Sequence, residues 1–184
     1  FSPEYVYQVL NIQTIMVWLS TIAIIAGSLY AIFHTNYRKI ITFIIVAEIG
    51  YIVGGLWIGH ADSIVGSIYH IVADSLMTLS LFMIGGLILF LVKSDKIDDF
   101  KLIFGRLKLT TIGLIIVFAS IIGIPPTAGF FSKMYLIKGA FQVGQYQFII
   151  ALLLSSLTSL FIFFRFFEAY FYKKETEPLT ASVK

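Results

Sequence analysis

The sequence predicts an all-α integral membrane fold of about five transmembrane helices, one of them discontinuous at Pro125-Pro126. Three observations carry that expectation. Hydrophobic residues make up 59% of the 184 and charged residues only 12%, against about 25% charged in soluble domains. The mean hydropathy is +0.94. Several apolar runs reach or exceed the ~20 residues that a helix needs to cross ~30 Å of hydrocarbon. The basic residues fall between those runs, and they alternate.

The spans run roughly 14–33, 39–59, 63–91, 109–140 and 147–171. The chain then divides into an extramembrane or interfacial lead-in (1–13), a polytopic helical domain (14–171) and a tail (172–184). The connector before the second span carries Arg38 and Lys39. The next carries Asp62 and no Lys or Arg. The third carries Lys93, Lys96, Lys101, Arg106 and Lys108; the fourth carries none; the tail carries Lys173, Lys174 and Lys184. Counted over short loops, the positive-inside rule puts the first and third connectors and the tail in the cytoplasm, with the N-terminus of the chain outside. The chain begins at Phe1, and we expect it to be part of a longer polypeptide.

The fourth span holds Gly123-Ile124-Pro125-Pro126-Thr127-Ala128-Gly129-Phe130-Phe131-Ser132-Lys133. Adjacent prolines remove two backbone donors and disfavour helix at the residue before them. The span has 32 residues, about 48 Å as one straight helix, which exceeds the hydrocarbon core. A two-part helix with an extended break at depth uses the excess, and puts Lys133 just beyond the break. The competing arrangement is a helix over 109–124, an external loop at the prolines and an interfacial helix over 129–140, with Lys133 snorkelling to the headgroups.

Polar residues at membrane depth mark candidate sites, because each is costly unless it faces protein or water. Glu48 stands well inside the second span, at a cost of at least ~2.5 kcal/mol on insertion scales. Ser67, His70, Asp74 and Thr78 follow at spacings of three and four, which is one stripe on one helical face. His70 and Asp74 at i, i+4 are placed to hydrogen-bond directly. Imidazole is the side-chain type that exchanges protons near neutral pH, so the pair suggests a proton or cation path. The bland alternative for the stripe is polar helix packing, and for Glu48 a protonated, structural hydrogen bond. In the last span, Ser155, Ser156, Thr158 and Ser159 suggest close helix packing. Arg165 and Glu168 at i, i+3 suggest a structural ion pair, and Tyr170 and Tyr172 suggest interfacial anchors.

Several classes are excluded. There is no cysteine, so disulfides, thiolate metal sites and iron–sulfur clusters have no ligands here. The three histidines, His34, His60 and His70, form no short metal-ligand pair. The net charge of +3 is small and lies in loops, which suits membrane orientation and not nucleic-acid binding. No nucleotide loop or nucleophile–base set is evident. We expect no cofactor and no catalytic site on this chain, with any redox chemistry residing on other subunits.

Together these residues resemble the large antiporter-like membrane subunits of Mrp-type cation/proton antiporters, NADH-quinone oxidoreductase (complex I) and membrane-bound hydrogenases. Asn36-Tyr37-Arg38-Lys39-Ile40-Ile41-Thr42-Phe43, continuing to Ile49-Gly50-Tyr51, looks like the family's Asp-Leu-Lys-Arg-x-x-Ala-Tyr…Ile-Gly-Tyr. His70 to Phe82 looks like His-x-x-x-His-x-x-x-Lys-x-x-Leu-Phe. Gly123 to Lys133 looks like Gly-Ile-Pro-Pro-x-x-Gly-Phe-x-x-Lys and is the most specific match. Lys138 to Phe171 is similar to the helix that follows, notably at Leu153-Leu154-Ser155-Ser156-Leu157 and Arg165-Phe166-Phe167. Taken together, the matches look most like the Mrp D type and its hydrogenase counterpart. The resemblance covers essentially the whole chain but only the C-terminal part of such a subunit. It implies the second of two inverted repeats.

The resemblance also implies roles. Lys133 occupies the ion-carrying position on the family's broken helix. Arg38 and Thr78 stand where two lysines of a central relay are expected, and Asp74 stands at the second histidine. Arginine does not deprotonate in proteins and threonine carries no charge, so Glu48, His70 and Asp74 would have to supply a substitute relay ending at Lys133. The implied function is part of a proton or sodium translocation pathway in a multisubunit respiratory or antiporter complex. The alternative is a structural membrane subunit of the same complex that has lost translocation. The implied partners are other membrane subunits, the lipid bilayer and H⁺ or Na⁺. The implied location is a prokaryotic cell membrane, with the mitochondrial inner membrane as the alternative.

Overall fold

The structure, a computed structural model, describes residues 12–97 and 107–171, with side chains as far as Glu168. The regular elements among them are all helices: α1 (Ile12–Phe33), α2 (Tyr37–Ile58), α3 (Ala61–Val92), α4 (Lys108–Ile122), α5 (Ala128–Gln142) and α6 (Tyr146–Phe171). Most of the lead-in, the tail with Tyr172, Lys101, Arg106 and the side chain of Tyr170 fall outside the described residues.

Local chemistry sets the helix boundaries. Gly59 (φ 73°) takes the left-handed cap of α2 and donates its N–H to the Leu56 carbonyl. His60 then caps α3, its ring nitrogen accepting from the Asp62 N–H at 3.2 Å. Helices α1, α2, α3 and the Tyr146–Glu168 part of α6 are each long and apolar enough to cross a membrane. The outer faces of α1 and α3 expose Trp18, Leu19, Ile22, Val72, Leu76 and Leu79, as helices against hydrocarbon do.

Neither α4 nor α5, at 15 residues or about 22 Å each, spans the hydrocarbon alone. End to end they do. A Cβ on Gly113 of α4 would lie 3.9 Å from Ile84 of α3. Further on, Ser132 of α5 meets His70, Gly66 lies against Leu136, and Gly139 lies against Ser63. Rising numbers in α4 and α5 therefore pair with falling numbers in α3, over about 32 Å of its axis. The segment is one discontinuous crossing antiparallel to α3. The arrangement with an interfacial 129–140 helix is set aside, because α5 lies lengthwise on α3.

The connectors group at two ends. Tyr37 N–H donates to the Asp95 carbonyl (2.6 Å), Ile97 N–H to the Thr35 carbonyl (3.0 Å), and Asn36 Nδ2 to Asp95 Oδ1 (3.0 Å), so the first and third connectors share one end. At the other end the Asp62 carboxylate accepts from Lys138 Nζ (3.1 Å) and Gln142 Nε2 (3.3 Å). The basic connectors therefore lie together, as the charge alternation requires.

The core has two apolar clusters stacked along the helix axes. One holds Ile44, Ala73, Leu81, Leu114, Phe118 and Ile162. The other holds Ile24, Tyr51, Ile58, Leu136, Phe148 and Leu152. On α2, Glu48 falls between Ile44 and Tyr51; on α6, Ser155 and Ser159 fall between Leu152 and Ile162. A buried polar layer separates the two clusters.

Candidate functional site: a buried Glu–His–Lys cluster

The break in the fourth span creates an acceptor, and Lys133 takes it. In an unbroken helix the N–H of residue 125 would bond the carbonyl of residue 121. Pro125 has no N–H. Gly123, at φ 88°, turns the chain and donates its N–H to the Ala119 and Ser120 carbonyls. The Ile121 carbonyl is left for the Lys133 ammonium, which donates to it and to Ser156 Oγ at 3.1 Å. An ammonium at a helix C-terminus also complements the partial negative charge there. Gly129 lets the two half-helices meet: a Cβ there would stand 1.9 Å from the Ser120 carbonyl oxygen, and the Gly129 N–H donates to Ser120 Oγ at 3.1 Å.

Glu48 of α2 stands between Lys133 and His70. Its Oε1 is 4.0 Å from Lys133 Nζ, and its Oε2 is 2.9 Å from His70 Nε2. Exposure is 2% for Glu48, 0% for His70 and 4% for Lys133. Glu48 lies roughly 15 Å along the axis from either end of α2, so the cluster sits at mid-depth of a membrane-length helix. The Glu48–His70 contact is close without being aligned as a hydrogen bond, and neither Oε2 nor Nε2 has a hydrogen-bond partner among the described residues. Buried polar atoms so placed are unusual and call for a proton, water or ion.

Tyr51, one turn beyond Glu48, walls the cluster. Its hydroxyl donates to Ser155 Oγ at 2.6 Å, its ring packs edge-on to His70 at 5.4 Å between centroids, and Lys133 Nζ stands 5.0 Å over its face. That last geometry is a cation–π contact. On the far side of the imidazole, His70 Nδ1 is 2.8 Å from Ser132 Oγ.

The fold thus unites Glu48, His70 and Lys133 and leaves three expected residues outside. Asp74 is half-buried one turn from His70. It accepts from Thr78 Oγ1 at 3.2 Å, so the direct His70–Asp74 bond is replaced by contacts of His70 with Glu48 and Ser132. Thr78 is half-buried with Asp74 and touches none of the three. Arg38 is exposed in the first turn of α2, ten residues before Glu48, too far along the axis to reach the cluster. Arg165 donates to the Ile32 carbonyl of α1, and among the described residues no ion pair joins it to Glu168. Sequence reasoning missed Ser132, Tyr51 and the Ile121 carbonyl, and read Ser155 and Ser156 only as packing. Tyr51 carried a signal, being at i+3 from Glu48; Ser132 carried one only as the neighbour of Lys133. Among the described residues, no group of three or more His, Cys, Asp or Glu is arranged to hold a metal.

Known proteins share both the sequence and the fold. The family described as NADH:quinone oxidoreductase/Mrp antiporter, TM, matches residues 1–159. The NADH-quinone oxidoreductase subunit N of Desulforudis audaxviator is 33% identical over 161 residues, covering 88% of this chain and 32% of that protein. The D-type Na(+)/H(+) antiporter subunit of Bacillus subtilis is 28% identical over 177 residues, covering 96% and 36%. The chain therefore spans about a third of the length of these relatives. In fold it is similar to a chain of the membrane-bound sulfane sulfur reductase, an archaeal respiratory membrane complex, with a TM-score of 0.82 at 21% identity over 93% of this chain and 36% of that one. The transmembrane description of the matching family agrees with a multi-pass helical membrane protein. The chain belongs to the NADH:quinone oxidoreductase/Mrp antiporter transmembrane family.

Proposed function

We propose that this chain carries one segment of a proton pathway in a multisubunit membrane complex, and that Glu48, His70 and Lys133 are its ion-handling groups. One observation carries the reading: a single buried carboxylate presents one oxygen to an imidazole and the other to an ammonium, at the centre of a membrane-length helix. His70 and Lys133 share one negative charge. A proton arriving at His70 draws Glu48 toward the imidazolium and weakens its hold on Lys133; departure of that proton restores the hold. The Ile121 carbonyl holds the Lys133 ammonium in place, and Ser156 Oγ, a hydroxyl that both accepts and donates, is the group through which its proton would be relayed. Proton is favoured over sodium because imidazole and amine exchange protons, whereas an ammonium at this spot repels a metal cation.

The relatives' names support a place beside other membrane subunits, and the clustering of basic connectors at one end supports placing that end in the cytoplasm. The competing reading, a scaffold without translocation, draws on Thr78 and Arg38 standing apart from the cluster. Lys133→Ala in the assembled complex, reconstituted in sealed vesicles with an internal pH dye, separates the two. We expect proton movement to be lost while the subunits still co-purify. Unchanged proton movement would leave only the scaffold.

A further inference from the structure

The hydroxyl of Ser132 has one hydrogen and two close neighbours. Ser132, fully buried, has its Oγ 3.0 Å from the Gly129 carbonyl oxygen and 2.8 Å from His70 Nδ1. A carbonyl only accepts, whereas an imidazole nitrogen either donates or accepts. If the hydroxyl hydrogen pointed to Nδ1, two oxygens would stand 3.0 Å apart with no hydrogen between them. The order Nδ1–H to Oγ, then Oγ–H to the Gly129 carbonyl, gives Nδ1, Oγ and that carbonyl each a partner of the right kind. A neutral ring then carries its lone pair on Nε2, the atom 2.9 Å from Glu48 Oε2. Neither atom then carries a hydrogen toward the other, and a proton added at Nε2 would stand beside the Glu48 carboxylate.

We infer that Ser132 is a positioning residue that fixes His70 in the Nδ1–H tautomer, so that Nε2 faces Glu48 as a proton acceptor. This rests on the proposed proton pathway and deepens it. Among the described residues, the titratable and charged groups nearest the ring are Glu48 and Tyr51 from α2, Asp74 one turn along α3, and Lys133 beside Ser132 on α5; α4 and α6 meet the cluster through the Ile121 carbonyl and uncharged serines. The step balances: a proton adds to the Nε2 lone pair, giving imidazolium beside carboxylate, and leaves from the same atom. Without Ser132 the Nδ1–H has no acceptor and is buried, which favours the other tautomer. Nε2–H would then occupy the face toward Glu48, and the acceptor would be gone.

The test is ring-¹⁵N histidine spectroscopy on the assembled complex above neutral pH, with the His70 signals identified by their loss in His70→Gln. The native complex should report Nδ1–H. Ser132→Ala should convert the signal to Nε2–H and slow proton movement roughly ten-fold, the equivalent of one hydrogen bond, and Ser132→Thr, which keeps the hydroxyl, should restore both. A native Nε2–H signal, or Nδ1–H retained in an assembled Ser132→Ala complex, overturns the inference. If Ser132→Ala does not assemble, the native spectrum decides alone. Loss of transport in Lys133→Ala together with a native Nε2–H signal would overturn this inference and leave the pathway standing.

Discussion

Gly129→Ala probes the joint between the half-helices, where the geometry allows the outcome to be worked through. The added Cβ would meet the Ser120 carbonyl oxygen at 1.9 Å, against the 3.0 Å that real Cβ contacts respect. The obstacle is backbone, so no rotamer relieves it, and α5 must move from the end of α4 by about 1 Å, at a cost of roughly 1–3 kcal/mol for overpacking. The same shift stretches the Gly129 N–H bond to Ser120 Oγ and moves Lys133 relative to the Ile121 carbonyl. Misplacing reacting groups by 1 Å costs up to about 10²-fold in rate. Gly113→Ala is the matched control: its Cβ would lie 3.9 Å from Ile84 Cδ1, ordinary contact, and alanine gains up to ~1 kcal/mol of helix propensity. Thermal unfolding of the complex and proton uptake by vesicles should both worsen for Gly129→Ala, and neither should for Gly113→Ala. Wild-type behaviour of Gly129→Ala would refute the close joint as the device that presents Lys133.

Two further outcomes follow from the same geometry. At 4.0 Å the Glu48–Lys133 attraction is worth about 4 kcal/mol at an effective dielectric near 20, so Glu48→Gln should reduce vesicle proton uptake at least ~100-fold with subunits still co-purifying; retained uptake would remove Glu48 from the pathway. Asp62→Asn breaks an exposed pair with Lys138, which should lower the stability of the complex in denaturant titration by less than ~1 kcal/mol and leave uptake unchanged.

The membrane class, the number of crossings and the break at Pro125-Pro126 were legible in the sequence, since each follows from local chemistry. Apolar run length fixes a crossing, a missing N–H breaks a helix, and a glycine at positive φ ends one. Glu48, His70 and Lys133 were also legible as candidates, because an ionisable group in an apolar run is conspicuous by itself.

Their grouping was not legible. Helical spacing put His70, Asp74 and Thr78 on one stripe, which describes neighbours within α3 only. Which part of a stripe meets another helix depends on how α2 and α5 cross it, and that is set by close approaches at Gly55, Gly66 and Gly139. Those crossings bring Glu48 and Ser132 to the two ring nitrogens of His70 and leave Asp74 at the edge with Thr78. Arg38, matched by motif alone, ends up a helix terminus away. The sequence by itself determined where the backbone breaks and which charges are buried in hydrocarbon-length helices, because these depend on residues a few positions apart. Only the tertiary structure decided that the carbonyl freed by Pro125 receives Lys133, and that one carboxylate serves both a histidine and a lysine. Those contacts join residues on four different helices, and no local periodicity encodes them.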